Sequence, residues 1–289
     1  MKTLYIVGNG FDLFHNLKTR YSDFYDFVLV KSKIECNQRC LLIYFLQKLF
    51  GEKLWHEFED ALGNPSEKEL YKLAAIYSRI YPNTNDIITN VENVADTIHL
   101  ELRSCFTEWI EYLKNDIKTT KEIDLHKNHS LFLTFNYTNT LELVYGIPSE
   151  QICYIHDEYD GMPKDEIGEL LHTKRYIFGC NKEQILHFSE GSIIYEFAKD
   201  LIKDTTSHMQ SERWSRFISQ LKDVKKIYII GHSVSPIDQP YYKRIKELCP
   251  NAVWYYAKRK GIPEKKLIKN LKSLGIDGKY VLYEKMSAH

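Results

Sequence analysis

Apolar positions along this chain of 289 residues fall into two rhythms. Short runs rich in β-branched and aromatic residues, suited to strands covered on both faces, occur at Leu4-Tyr5-Ile6-Val7, Ser130–Phe135, Gln151–Ile155, Tyr176–Phe178, Lys226–Ile230, Ala252–Tyr256 and Tyr280–Tyr283. Between them the spacing changes to three and four residues, which predicts helices over about 21–30, 36–50, 55–62, a stretch ending near 80, 140–145, 191–203, 211–222, 238–248 and 263–273. The strongest helical signal lies at 84–118, where Ile87, Val91, Val94, Ile98, Leu102, Phe106, Trp109 and Leu113 form one stripe. Residues from Gly8 to about Arg20 read as a loop, because two glycines open it. Strands alternating with helices predict an α/β fold with a mainly parallel sheet. The span of about 21–122 is too long for one crossover helix and reads as a large helical insertion within a single domain.

Composition narrows the function classes. Apolar residues make up 44% and charged residues 27%, which is globular. A formal net charge of zero provides no long-range attraction for nucleic acid or an anionic membrane. The basic stretch Lys258-Arg259-Lys260 with Lys265-Lys266 is explained by solvation. Six cysteines without a Cys-x-x-Cys pair suggest free thiols in a reducing compartment, with Cys36 and Cys40 as two buried thiols on a helix. No metal site is expected; His126-x-x-His129 is the one close histidine pair and falls in a loop. No secretory leader and no apolar run of membrane-spanning length is visible, so the expectation is a cytoplasmic protein without membrane contact.

The polar residues cluster where the predicted strands end: Gly8-Asn9-Gly10-Phe11-Asp12, then Thr134 and Asn136, His156, Gly179, and Gly231-His232-Ser233. Ligands of open α/β sheets bind at those carboxyl ends. The dinucleotide fingerprint fails because Leu13 stands where a third glycine is needed, and there is no phosphate-binding Gly-Lys-Ser/Thr or nucleophile elbow. Several residues keep a plain alternative. Asp12 either caps a turn or touches ligand; Asp238 starts its helix as an N-cap or contacts ligand; Trp55, Phe58 and Glu59 pack a cap or, for Glu59, face the pocket.

Taken together, Gly8-Asn9-Gly10-Phe11-Asp12-Leu13, Leu17-Lys18-Thr19-x-Tyr21-x-x-Phe24, Trp55-x-x-Phe58-Glu59, Thr134-Phe135-Asn136-Tyr137-Thr138-x-Thr140-Leu141-Glu142 and Gly231-His232-Ser233-x-Ser235-x-x-Asp238-x-x-Tyr241 resemble the bacteriophage abortive-infection AbiH family. That pattern is in turn similar, more distantly, to the Rossmann-like, sirtuin-like NAD-binding fold, although Asp157 replaces the glycine that usually follows the histidine and the zinc-ribbon cysteines are missing. The resemblance implies an antiphage protein with NAD as substrate or ligand, and catalytic roles for Asn136 and His156. It also implies cofactor-binding roles for Gly8, Asn9, Gly10, Phe11, Asp12, Thr134, Gly231, His232, Ser233 and Asp238, with backbone N–H groups around Gly8–Gly10 holding the pyrophosphate. The activity implied is hydrolysis of the nicotinamide–ribose bond, answering a phage-derived trigger. Two alternatives stay open: a non-catalytic NAD or ADP-ribose sensor, and a nucleic-acid-acting toxin. The apolar face of the 84–118 helix serves either internal packing or a homo-oligomer interface.

Overall fold

The computed structural model describes residues 2–34, 40–50, 62, 65–80, 87–118, 122–156, 179–180, 182–203, 205–258 and 265–283. The expected strand at 176–178, nearly all of the expected helix at 55–62, and Asp157 lie outside them.

Six strands form one sheet: β1 (Lys2–Val7), β2 (Ser130–Thr134), β3 (Ile152–Tyr154), β4 (Val224–Ile230), β5 (Val253–Lys258) and β6 (Gly278–Leu282). Their order across the sheet is β3-β2-β1-β4-β5-β6, and every pairing is parallel. The chain therefore builds outward from β1 in one direction and then returns to its other side with β4. The β1–β4 boundary is the point where strand order reverses, which leaves a crevice at the carboxyl ends. This Rossmann-like α/β arrangement agrees with the fold class read from the sequence.

Alternation along the strands divides the core. Leu4, Ile6, Leu131, Leu133, Ile227 and Ile229 face helices α10 (Glu212–Ser219), α11 (Gln239–Leu248) and α12 (Lys265–Ser273) through Trp214, Phe217, Tyr241, Tyr242, Ile245 and Leu271. Tyr5, Val7, Phe132, Tyr228 and Ile230 face the opposite way, with Phe11 of α1 (Asn9–Phe14) and Leu141 and Tyr145 of α6 (Thr140–Tyr145). On that face the rings of Phe132, Tyr5, Tyr228 and Tyr255 stack across four strands at centroid distances of 5.1, 5.3 and 4.8 Å. Cross-strand aromatic pairs of this kind fix register as well as adding stability.

Compactness divides the chain into two units, Met1–Thr19 with Tyr112–Asp157 and Thr205–His289, and Arg20–Glu111 with Glu158–Asp204. The second unit is helical among its described residues. Its helices include α2 (Tyr21–Ile34), α3 (Cys40–Phe50), α4 (Glu67–Ile80), the greater part of α5 (Ile87–Asn115), α7 (Lys182–Ile185) and α8 (Ile193–Ala198). Phe24 meets Phe106 and Trp109 at 5.5 and 5.3 Å, and Phe197 meets Phe45 and His99 at 5.0 and 5.1 Å. Burial pushes the His99 imidazole down to about 4, so the ring is neutral in this apolar setting.

Two readings from the sequence are corrected. The stretch after β1 is not wholly a loop: Gly8 is the N-cap of α1, because packing of Phe11 against His15 and Tyr145 holds the turn despite its poor helix formers. The helix expected at 191–203 breaks after Ala198 into a 3-10 turn, and Ile202 bridges to Cys180 instead. A short helix α9 (Thr205–Gln210) carried no clear periodic signal. Cys105, Cys153, Cys180 and Cys249 are buried free thiols, and no helix among the described residues is long and apolar enough to cross a membrane.

The stacked ladder contains one uncompensated group. The Tyr5 hydroxyl accepts from the His126 N–H at 3.1 Å, whereas the buried Tyr228 hydroxyl has no hydrogen-bond partner among the described residues. Tyr228→Phe is therefore expected to be neutral or to stabilise by about 1 kcal/mol, while Tyr5→Phe costs about 1 kcal/mol, read by urea unfolding. A clear loss in Tyr228→Phe would mean that its hydroxyl is satisfied in solution.

Candidate functional site

The predicted residues converge at the carboxyl ends of β1, β2, β3 and β4, which are adjacent in the sheet. Convergence begins with glycine. Gly8 N–H donates to the Ile230 carbonyl at 2.9 Å, and Gly10 N–H donates to the Gly231 carbonyl at 2.8 Å. A Cβ on Gly10 would lie 2.7 Å from the Gly231 Cα; one on Gly231, where φ is +63°, would lie 2.4 Å from the Phe11 nitrogen. A Cβ on Gly8 would collide with His232 at 2.6 Å. Of the backbone N–H groups around Gly8–Gly10 expected to hold a pyrophosphate, those of Gly8 and Gly10 are therefore engaged by the end of β4 and the residue after it. The glycines serve as a seam that lets two strand-end loops touch backbone to backbone.

Next to the seam lies a buried polar cluster. Asp12, 1% exposed, accepts from the Thr138 hydroxyl at 2.6 Å and the Thr140 hydroxyl at 2.9 Å, and also from the Asn136 side chain. It therefore caps no turn through its side chain. Burial raises its carboxyl from 3.8 to about 6, with the hydrogen bonds from Thr138, Thr140 and Asn136 opposing the shift. Asn136 is 5% exposed, and its Oδ1 is buried with no hydrogen-bond partner among the described residues. Its backbone N–H donates to the Thr134 hydroxyl at 3.0 Å, so Thr134 shapes the turn that aims Asn136. An acceptor left without a donor in a buried site is costly unless something else supplies one.

His156 follows β3. Its ring is buried, stacked on Tyr137 at 4.7 Å and edge-on to Phe135 at 6.0 Å. Phe135 also meets the His232 ring at 4.2 Å, so one aromatic residue touches both histidines. Both ring nitrogens of His232 are engaged within the chain. Val234 N–H donates to Nδ1 at 3.0 Å, which makes Nδ1 an acceptor and puts the proton on Nε2, 3.3 Å from Asp238 Oδ2. The Tyr242 hydroxyl shares Nδ1 at 2.8 Å, and Ser235 donates to Asp238 at 2.7 Å. Asp238 sits at the N-cap position of α11 without capping through its side chain, because that side chain is turned to His232 and Ser235. Val234, a β-branched residue at φ +55°, is strained there and is held by its bond to His232.

The remaining predicted residues separate by exposure. Phe11 is core. Asn9 and Ser233 are exposed at the seam. The Asn9 amide donates to the Thr19 carbonyl and accepts from the Thr19 hydroxyl, and the Ser233 carbonyl accepts from Asn270. Thr138, Thr140, Tyr137 and Phe135 were not singled out as site residues from the sequence. The hint was there in Thr138-x-Thr140, since alternate hydroxyls after a strand can turn to one side. No group of three or more potential metal ligands occurs among the described residues.

Two substitutions test this geometry. Gly231→Ala should cost roughly 3 kcal/mol or more in urea unfolding, because it combines an unfavourable φ with a backbone collision. For Asp12, the folded-state carboxyl keeps its proton up to about pH 6 and the unfolded one releases it near 3.8. Its contribution to stability is therefore fully present below about pH 4 and lost as pH rises through 6. At pH 7 the buried charge costs at most on the order of 3 kcal/mol. Asp12→Asn should recover part of this at pH 7 and none near pH 4, as measured by unfolding at both values; a loss at pH 7 would contradict the burial argument.

Against known proteins, the family model described as "Bacteriophage abortive infection AbiH" matches residues 4–257, a span that includes every site residue above. No curated protein matches the chain.

Proposed function

Because the chain belongs to the AbiH family of bacteriophage abortive infection, we propose that it acts in antiphage defence by binding NAD at these strand ends and hydrolysing its nicotinamide–ribose bond. The observation that supports the reading is the Asn136 Oδ1, a buried acceptor without a donor among the described residues, at the carboxyl edge of a parallel sheet beside the point where strand order reverses. A ribose hydroxyl supplies such a donor. In this reading the nicotinamide ribose lies between Asn136 and His156, and the diphosphate runs over the β1–β4 seam, where Asn9 and Ser233 are the exposed polar groups.

The chemistry asks little of the protein beyond placement. As the carbon–nitrogen bond to nicotinamide breaks, its electron pair leaves with nicotinamide and positive charge develops on the ribose. Asn136 orients the sugar through its hydroxyl. His156 takes the proton from a ribose hydroxyl or from the attacking water. Water adds to the ribose, and the products are ADP-ribose, nicotinamide and a proton. His232 stays out of these steps, since its nitrogens are already occupied.

A second reading, binding without turnover, is favoured by one feature: the committed N–H groups of Gly8 and Gly10 leave the diphosphate without the backbone grip of a dinucleotide cradle. Incubation of the pure protein with NAD, with nicotinamide release followed by chromatography, separates the two. The expected result is slow release in the wild type, reduced at least 100-fold in an Asn136→Ala/His156→Ala double variant. Binding seen by calorimetry without release would establish a sensor. Equal release in wild type and double variant would rule out this site.

A further inference from the structure

The Asn136 amide has two ends in unlike surroundings. Its donor end meets the Asp12 carboxyl, while its Oδ1 is buried and has no partner among the described residues. An amide can be turned over with almost no change of shape, so a neighbour has to decide which end faces Asp12. Asp12 makes that decision. The Thr138 and Thr140 hydroxyls donate to its two oxygens at 2.6 and 2.9 Å, and an ionised carboxyl can only accept, so it draws the amide N–H and turns Oδ1 away.

We propose that Asp12 is a positioning residue that touches no ligand and locks the Asn136 amide with Oδ1 turned away from it, so that the site selects ligands presenting a hydroxyl donor. The ribose diol of a nucleotide is the class that fits. The identity of that ligand rests on the function proposed above; the locking of the amide does not. The arrangement also depends on the charge of Asp12. Protonated, Asp12 becomes a donor, the amide gains by turning its oxygen toward it, and the end facing away becomes an N–H donor, which a ligand must meet with an acceptor instead of a donor.

The groups facing the carboxyl are the two threonine hydroxyls and the Asn136 amide, with no ion-pair partner for it among the described residues. His15, one turn along α1, is bonded to the Phe11 carbonyl and the Tyr145 hydroxyl, both at 2.7 Å. Glu142, the acid on α6, takes the Tyr154 hydroxyl at 2.7 Å. Neither is placed to counter the charge.

The test has a ligand-free arm and a ligand arm. In the first, protein carrying 15N in its asparagine side chains is titrated by NMR, with the Asn136 amide assigned by its loss in Asn136→Ala. The expected result is an Asn136 signal that shifts with a midpoint near pH 6 in the wild type, where Asp12 titrates, and not in Asp12→Asn. A signal insensitive to pH in the wild type overturns the proposal without recourse to any Asp12 variant, as does an unchanged titration in Asp12→Asn. In the second arm, calorimetry at pH 7.5 compares NAD with NAD lacking the hydroxyls of its nicotinamide ribose. The wild type should prefer NAD by about tenfold, the worth of one good hydrogen bond, and Asp12→Asn should lose that preference while remaining folded. Retention of the preference in Asp12→Asn overturns the proposal. A titrating amide with no NAD binding keeps the positioning role and removes NAD as the ligand.

Discussion

The close approach of two loops at Gly8, Gly10 and Gly231 is the constraint on which this molecule depends. Main-chain atoms there are separated by less than a Cβ would need, and the two hydrogen bonds across the seam join the end of β1 to the end of β4. Parallel pairing of β1 with β4 brings the strand ends level, and only residues without side chains let them continue into contact. The placement of α1 follows from that contact, and so does the burial of Asp12. His232 lies against Gly8, which fixes the start of the Val234 turn. Polar groups that would be ordinary on a surface become buried, and their hydrogen-bond arithmetic becomes strict.

That arithmetic separates two clusters which look alike in sequence. Around His232 the donors and acceptors close within the chain: Val234, Tyr242, Asp238 and Ser235 answer the ring and one another. Around Asn136 it does not close, since one acceptor remains over. The first cluster has the character of a brace for a strained turn. The second holds a raised carboxyl and an amide oxygen without a donor among the described residues, both at a free-energy cost.

Much of this was legible from residue order. Strands at 2–7, 130–134, 152–154, 224–230, 253–258 and 278–282 follow the apolar runs closely, because burial on both faces leaves an unbroken signature. The long helical stripe at 87–115 is equally plain. What could not be read is what depends on distant partners. The α1 turn is made by packing of Phe11 on residues far along the chain, against the local preference of Gly-Asn-Gly. Thr138 and Thr140 acquire meaning only through Asp12, which lies 126 and 128 positions away. His232 and Asp238 looked like ligand contacts because they follow a strand end, and nothing local announced that Tyr242 and Val234 occupy the ring.

The strand order has a consequence in time. β1 is made first, yet it is an inner strand whose two neighbours are β2 and β4. At ribosomal speeds of about 5–20 residues per second, roughly 10–45 s separate the synthesis of Val7 from that of Ile230. Through that interval an apolar strand waits with an open edge, and the seam at Gly8 and Gly10 has nothing to close upon. Until β4 is delivered, a nascent chain of this kind lacks the Gly231-His232-Ser233 side of the strand-end cluster. The row of strand ends is thus closed late in synthesis, by a segment made after the Asp12, Asn136 and His156 side is already present.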